Sequence, residues 1–169
     1  LQMSAASGSA SASSVDTRYG GGPGGGAVTL NATGSTVSTG TVQAGNGNIT
    51  LAGTRVSTGT MTTTGAVSLT ATSGNISATV NDAASVVAAA SRSFSSVSVN
   101  LTSTSTTTPL NATTVTATAT NCSSSSSCPS ATVTLTGSQG VNVGTVSASA
   151  PATTYSGYTP QYQQHNTSV

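Results

Sequence analysis

The sequence predicts an all-β fold, a β-solenoid with coils of about 18–21 residues. Three observations lead there. A tripeptide of apolar residue, small polar residue and Leu recurs along the chain, as Val28-Thr29-Leu30, Ile49-Thr50-Leu51, Val67-Ser68-Leu69, Val99-Asn100-Leu101 and Val133-Thr134-Leu135. The pentapeptide VSTGT starts at position 37 and again at position 56. Finally, Ser and Thr make up 65 of 169 residues, while Leu, Ile, Val and Phe total 27 and only five residues are formally charged. So few large apolar residues with a large net charge would give disorder, but at +1 the chain does not repel itself. The 34 Thr and 17 Val favour strands. A narrow solenoid interior, filled by alternate residues only, is the architecture such a composition can supply.

Taken in order, residues 1–26 (LQMSAASGSASASSVDTRYGGGPGGG) are small and polar and end in Gly around Pro23, which predicts a flexible arm. From residue 27 to 80 each triplet is a short strand with alternating faces, and Gly34, Gly45-Asn46-Gly47-Asn48 and Ser73-Gly74-Asn75 supply turns. The first three triplets start at Val28, Ile49 and Val67, and a second set of apolar positions, Val37, Val56 and Ile76, keeps nearly the same interval. A period near 20 marks a repeat architecture. Residues 81–98 (NDAASVVAAASRSFSSVS) break that period and read as an irregular coil or a short helical excursion. Residues 102–120, almost entirely Thr, Ser and Ala, allow strand pairing with weakly specified register. Residues 27–150 are thus the repeat domain, and 151–169 a Tyr/Gln/Pro tail.

The segment AVTLNATGSTVSTGTVQAGNGNITLAGTRVSTGTMTTTGAVSLTATSGNISATV, residues 27–80, resembles the repeat regions of filamentous-haemagglutinin-type exoproteins, which are secreted bacterial adhesins. The resemblance covers about a third of the chain, and residues 131–150 more weakly. It implies a right-handed parallel β-helix and an adhesive, surface-exposed protein. A second architecture suits the irregular stretch 81–136: an immunoglobulin-like or pilin-like sandwich completed by a neighbour's strand, with residues 1–19 as the donor.

The ionisable groups are Asp16, Asp82, Arg18, Arg55, Arg92 and His165. General acid–base or nucleophilic catalysis needs such groups to converge, and no spacing here suggests that they do. The sequence therefore predicts a non-enzyme with no cofactor and no metal. Cys122 and Cys128 flank five Ser and predict a disulfide, since two thiols and one distant His are too few ligands for a closed zinc site. Asn31, Asn48, Asn75, Asn100, Asn111, Asn121 and Asn166 head Asn-x-Ser/Thr sequons, which are glycan acceptors or plain turn and ladder residues. Thr-x-Thr at 39/41, 58/60, 116/118 and 132/134 raises an ice- or carbohydrate-binding surface. Tyr155, Tyr158 and Tyr162 in the tail are a candidate docking segment, because Tyr covers much area at low entropic cost.

Three Arg and no Lys cannot neutralise many phosphates, so nucleic acid is not an expected partner. No apolar run is long enough for a membrane helix, so membrane insertion is not expected. Low charge and the Cys pair point to an extracellular or cell-surface protein. The opening Leu1 suggests that a leader has been removed or that the chain is part of a longer one. Together these predict a structural protein: a homopolymeric filament subunit assembling head to tail, or a segment of a fibrous adhesin touching cell-surface glycans.

Overall fold

The computed structural model describes residues 1–20, 24–122, 128–151 and 167–168. These residues form β1 (Gln2–Ala5), β2 (Ala10–Asp16), β3 (Val28–Gly45), β4 (Ile49–Thr63), β5 (Ala66–Ala71), β6 (Ile76–Asn81), β7 (Ser85–Ser93), β8 (Val97–Ser103), β9 (Leu110–Thr120), β10 (Ala131–Gly137), β11 (Val141–Ser149) and β12 (Thr167–Ser168). No helix occurs among the described residues. All pairs between these strands are parallel, and one sheet runs β11-β9-β7-β5-β4-β6-β8-β10-β12, with β3 joining β4 to β1 and β2. The long strands β3 and β4 pair with neighbours along both of their halves. The sheet consequently folds round on itself, nearly closed into a barrel-like solenoid with two stacks of strands. One stack is β1, the first half of β3 and of β4, β5, β7, β9 and β11; the other is β2, the second half of β3 and of β4, β6, β8, β10 and β12. This parallel pairing overturns the sandwich, whose sheets are antiparallel.

Alternation along each strand sends every second side chain inward, and parallel register stacks those side chains in columns. On the first stack Val28, Ile49, Val67, Val86 and Ala112 form one column. Leu30, Leu51, Leu69, Ala88 and Val115 form the next, and Ala32, Gly53, Ala71, Ala90 and Ala117 a third. On the second stack Ala10, Val37, Val56, Ile76, Val99 and Val133 align. All of these except Gly53 belong to one buried hydrophobic cluster. Each buried Leu or Ile contributes roughly 1.5–3 kcal/mol relative to an exposed one. The thin apolar supply suffices because a few large side chains per coil fill the interior.

VSTGT is where two coils stack in register, with Val37 beside Val56, Ser38 beside Ser57 and Thr39 beside Thr58. A Cβ on Gly59 would lie 2.6 Å from the Gly40 carbonyl oxygen, and one on Gly40 would meet the Ser13 carbonyl oxygen. The glycines therefore let successive backbones close up at this bend, which any side chain would hold apart. Thr39 does not face out as a Thr-x-Thr surface requires: it is buried, and its Oγ1 has no hydrogen-bond partner.

Two stretches differ from expectation. Residues 1–26, expected as a flexible arm, carry β1 and β2, which pair in register with β3 of the same chain and bury Ala10 and Val15. Small side chains are enough there, because the backbone of this coil finds partners in β3. A donor strand would sit in a neighbour's sheet, whereas β1 and β2 pair here within their own chain. Residues 85–93 and 97–103, which overlap the stretch expected to be irregular or helical, are strands β7 and β8. Ladders to β5 and β9 on either side of β7 outweigh the helix preference of Ala88-Ala89-Ala90.

Candidate functional site

Three of the five charged residues meet at one corner of the solenoid, where each coil passes from the second stack back to the first. The row Asp16, Gln43, Thr62 and Asn81 crosses β2, β3, β4 and β6 in register, and Asn81 Oδ1 accepts from Thr104 N–H at 2.9 Å. Arg18 donates to both carboxylate oxygens of Asp16, at 3.0 and 2.7 Å, and its backbone N–H donates to Asp16 as well. These bonds hold the Asp16 carboxyl down at about 2. Further along the stack, Asp82 takes a left-handed conformation (φ 62°) and accepts from Ser105 Oγ at 2.6 Å and Thr108 Oγ1 at 2.8 Å. Between these groups lies an open cleft of about 150 Å³ lined by Arg18, Gln43, Gly45, Thr62–Thr64 and Asp82. Gln43 Oε1 is buried there without a protein donor.

The bonds at this corner fix turns between coils. Asp16 is already an ion pair, which leaves it a weak base, and Asp82 is occupied in tying residues 105–108 to the preceding coil. Arg92 donates to the Ser96 carbonyl at the opposite corner, where Arg55 also sits. Among the described residues no group of three or more His, Cys, Asp or Glu gathers in the way a metal site needs. His165 lies outside the described residues, as do Asn166, Tyr155, Tyr158 and Tyr162.

The sequon residues separate by environment. Asn31, Asn48, Asn100 and Asn121 are exposed or partly exposed at the surface, whereas Asn75 and Asn111 are half-buried. Several hold adjacent coils together: Asn48 Oδ1 accepts from Ala66 N–H at 2.9 Å and Asn75 Oδ1 from Ser98 N–H at 3.0 Å. Asn111 donates to the Ala83 carbonyl at 3.1 Å and accepts from Asn142 Nδ2 at 3.0 Å. The bonds to Ala66 and Ser98 extend the ladder at the starts of β5 and β8, and the bond to Ala83 supplies a partner to backbone between β6 and β7. Asn31 and Asn100 stand outward on strands.

Cys122 and Cys128 are joined by a disulfide, with Cα atoms 4.3 Å apart, between β9 and β10. Asn121 (φ 60°) precedes it and donates to Ser93 Oγ at 3.0 Å. Beside Thr120, Phe94 is 60% exposed at φ 59°, a left-handed conformation that bulky residues rarely adopt, and its N–H donates to the Thr120 carbonyl at 2.8 Å. Nothing in the sequence period singles out Phe94; it is the chain's one Phe, placed at a corner where a turn residue would be expected.

The remaining candidate surfaces are the ends of the stack. Among the described residues β1 pairs with β3 alone and β11 with β9 alone, so each leaves one side of its backbone unpaired. The inward residues of the last coil, Val141, Val146 and Ala148, are only half-buried. Comparison with family models, with curated proteins and with solved structures finds no match to this chain.

Proposed function

We propose that this chain is a non-enzymatic extracellular structural protein, a right-handed parallel β-solenoid with coils of about 18–21 residues in its regular part, serving as the repeating unit of a surface filament or as a segment of a fibrous adhesin. One observation carries the reading: among the described residues, the two outermost strands of the first stack, β1 and β11, both keep an unpaired edge and carry no charged side chain. Natural sheets protect such edges with charge, Pro or a covering element, and an edge left open is a template for another strand. Where the contact is head to tail and does not close, the product is a filament. Right-handed winding is supported by the strong bias of parallel crossover connections.

The disulfide, and the absence of any described helix long and apolar enough to cross a membrane, are compatible with an extracellular setting. The outward Ser, Thr and Asn rows suit hydrated surroundings and contact with glycans. An ice-binding surface gains less support, because Thr39 points inward and Ala52, Val87 and Ala89 interrupt the outward rows of the first stack. The test is electron microscopy of the purified full chain across concentrations. Unbranched filaments one solenoid wide are expected, and discrete monomers at every concentration would overturn the proposal.

A further inference from the structure

The register of the first stack predicts which strands meet when one copy is placed on another. Among the described residues its first column runs from Leu1, whose carbonyl accepts from Thr29 N–H at 2.9 Å, through Val28, Ile49, Val67, Val86 and Ala112 to Val143. The second begins at Met3 and ends at Val146; the third begins at Ala5 and ends at Ala148. Leu1 and Val143, 56% and 37% exposed, are therefore the outermost described members of one apolar column whose interior members are buried. They are two of the five large hydrophobic residues that stand exposed among the described residues.

We infer that β11 of one copy receives β1 of a second copy as a parallel strand, with Leu1 on Val143, Met3 on Val146 and Ala5 on Ala148. Both strands run the same way along the stack, so a simple translation along its axis brings them together without reversing either. Their outward residues continue equally well: Gln2 falls beside Thr145 and Ser4 beside Ser147, extending the rows that pass through Thr29 and Asn31. The spare residue Gly144, between Val143 and Thr145, repeats the irregularity already accommodated where β9 meets β7, at Thr113. β1 and β11 contain no charged side chain, and the Leu1 ammonium is held by the Ala27 carbonyl of its own chain at 2.7 Å. On the second stack β12 pairs with β10 alone among the described residues, and the same translation sets the partner's β2 along its other edge. The occupant is thus a second copy, because the missing members of each column are the ones its first coil supplies.

This inference rests on the filament reading and specifies its joint. The experiment uses the full chain with Ser4→Cys and Ser147→Cys. Both positions are exposed, and neighbouring parallel strands bring such residues to about 5 Å, within disulfide range. On mild oxidation the double variant should give a ladder of covalent multimers on non-reducing gels, an equimolar mixture of the two single variants should give dimers, and each single variant alone should stay monomeric. An off-register pair, Ser4→Cys with Asn142→Cys, should yield at least tenfold less product. Filaments visible by microscopy together with no cross-link at the 4/147 pair would overturn this joint and leave the filament standing. Absence of both filaments and cross-links, with the chain folded by circular dichroism, would overturn both. Val143→Asp supplies the converse: a folded chain that no longer elongates is expected, and undiminished elongation would count against the joint.

Discussion

The coils formed by β3 to β7 and the coils formed by β9 to β11 share one ladder but are built differently. Through the first region one inward column passes through positions 28, 49, 67 and 86 at nearly even steps, and the interior holds Leu30, Leu51, Leu69, Ile49 and Met61. Beyond it the same column steps to Ala112 and then Val143, a much longer stretch of chain each time, and the interior sets Leu110, Val133 and Leu135 beside the smaller Val115, Ala117 and Ala119. The added chain lies between strands, as in the segment 104–109 tied to Asp82 and the connection that holds Cys122 and Cys128. The chain between strands is therefore free to lengthen, while inward spacing is not. A longer loop adds only slowly to closure entropy, whereas a one-residue slip along a strand would turn its apolar face outward.

The contrast can be broken most sharply at a crossing point of the regular region. Gly59→Val should destabilise the chain by about 3 kcal/mol or more, because its side chain must occupy the space of the Gly40 carbonyl. Denaturant titration would register this as a lowered midpoint, and an unchanged midpoint would mean that the coils are not so closely stacked. Next comes a matched truncation: Leu51→Ala should cost about 2–5 kcal/mol and Val146→Ala less than about 1 kcal/mol, since the first is fully buried and the second half-covered at the open end. Equal losses would erase the distinction between the two regions.

Smaller effects probe the corners. Asp82→Ala removes the acceptor for Ser105 and Thr108 and should cost about 1–2 kcal/mol, with faster hydrogen exchange confined to residues 104–109. Phe94→Gly should raise stability by about 1 kcal/mol, as it relieves a left-handed backbone and an exposed ring together; a loss would show that the ring makes contacts that outweigh the strain. The smallest change is expected from acid. Asp16 lies at about 2 when folded against an ordinary 3.8, so its contribution is complete above pH 3.8 and fades as pH falls toward 2. The pair is solvent-exposed, and Asp16→Asn should leave the thermal midpoint at pH 7 unmoved within about 1 °C.

Much of the ladder is legible in the triplets themselves, because Leu30, Leu51 and Leu69 are both the sequence repeat and a physical column. The disulfide is equally legible, two cysteines close in the chain with no competing ligand. The first coil and β7 are not, since Ser-Ala-Ser and Ala-Ala-Ala carry little hydrophobic alternation and become strands only when a neighbouring strand offers its backbone. The corner at Asp16, Gln43 and Asp82 escapes sequence inspection for a related reason: its members come from three different coils and meet only once those coils are stacked.

What the sequence determined alone is the alternation, the recurrence of its apolar triplets and the near-absence of charge, all properties that the chain expresses locally without help from distant residues. Only the tertiary structure decided that the first coil and β7 join the ladder, that Thr39 turns inward, and that Leu1 and Val143 share one column. Those depend on register between residues far apart in the chain, and register is set by the summed fit of many weak side-chain contacts and backbone bonds, which no local stretch encodes.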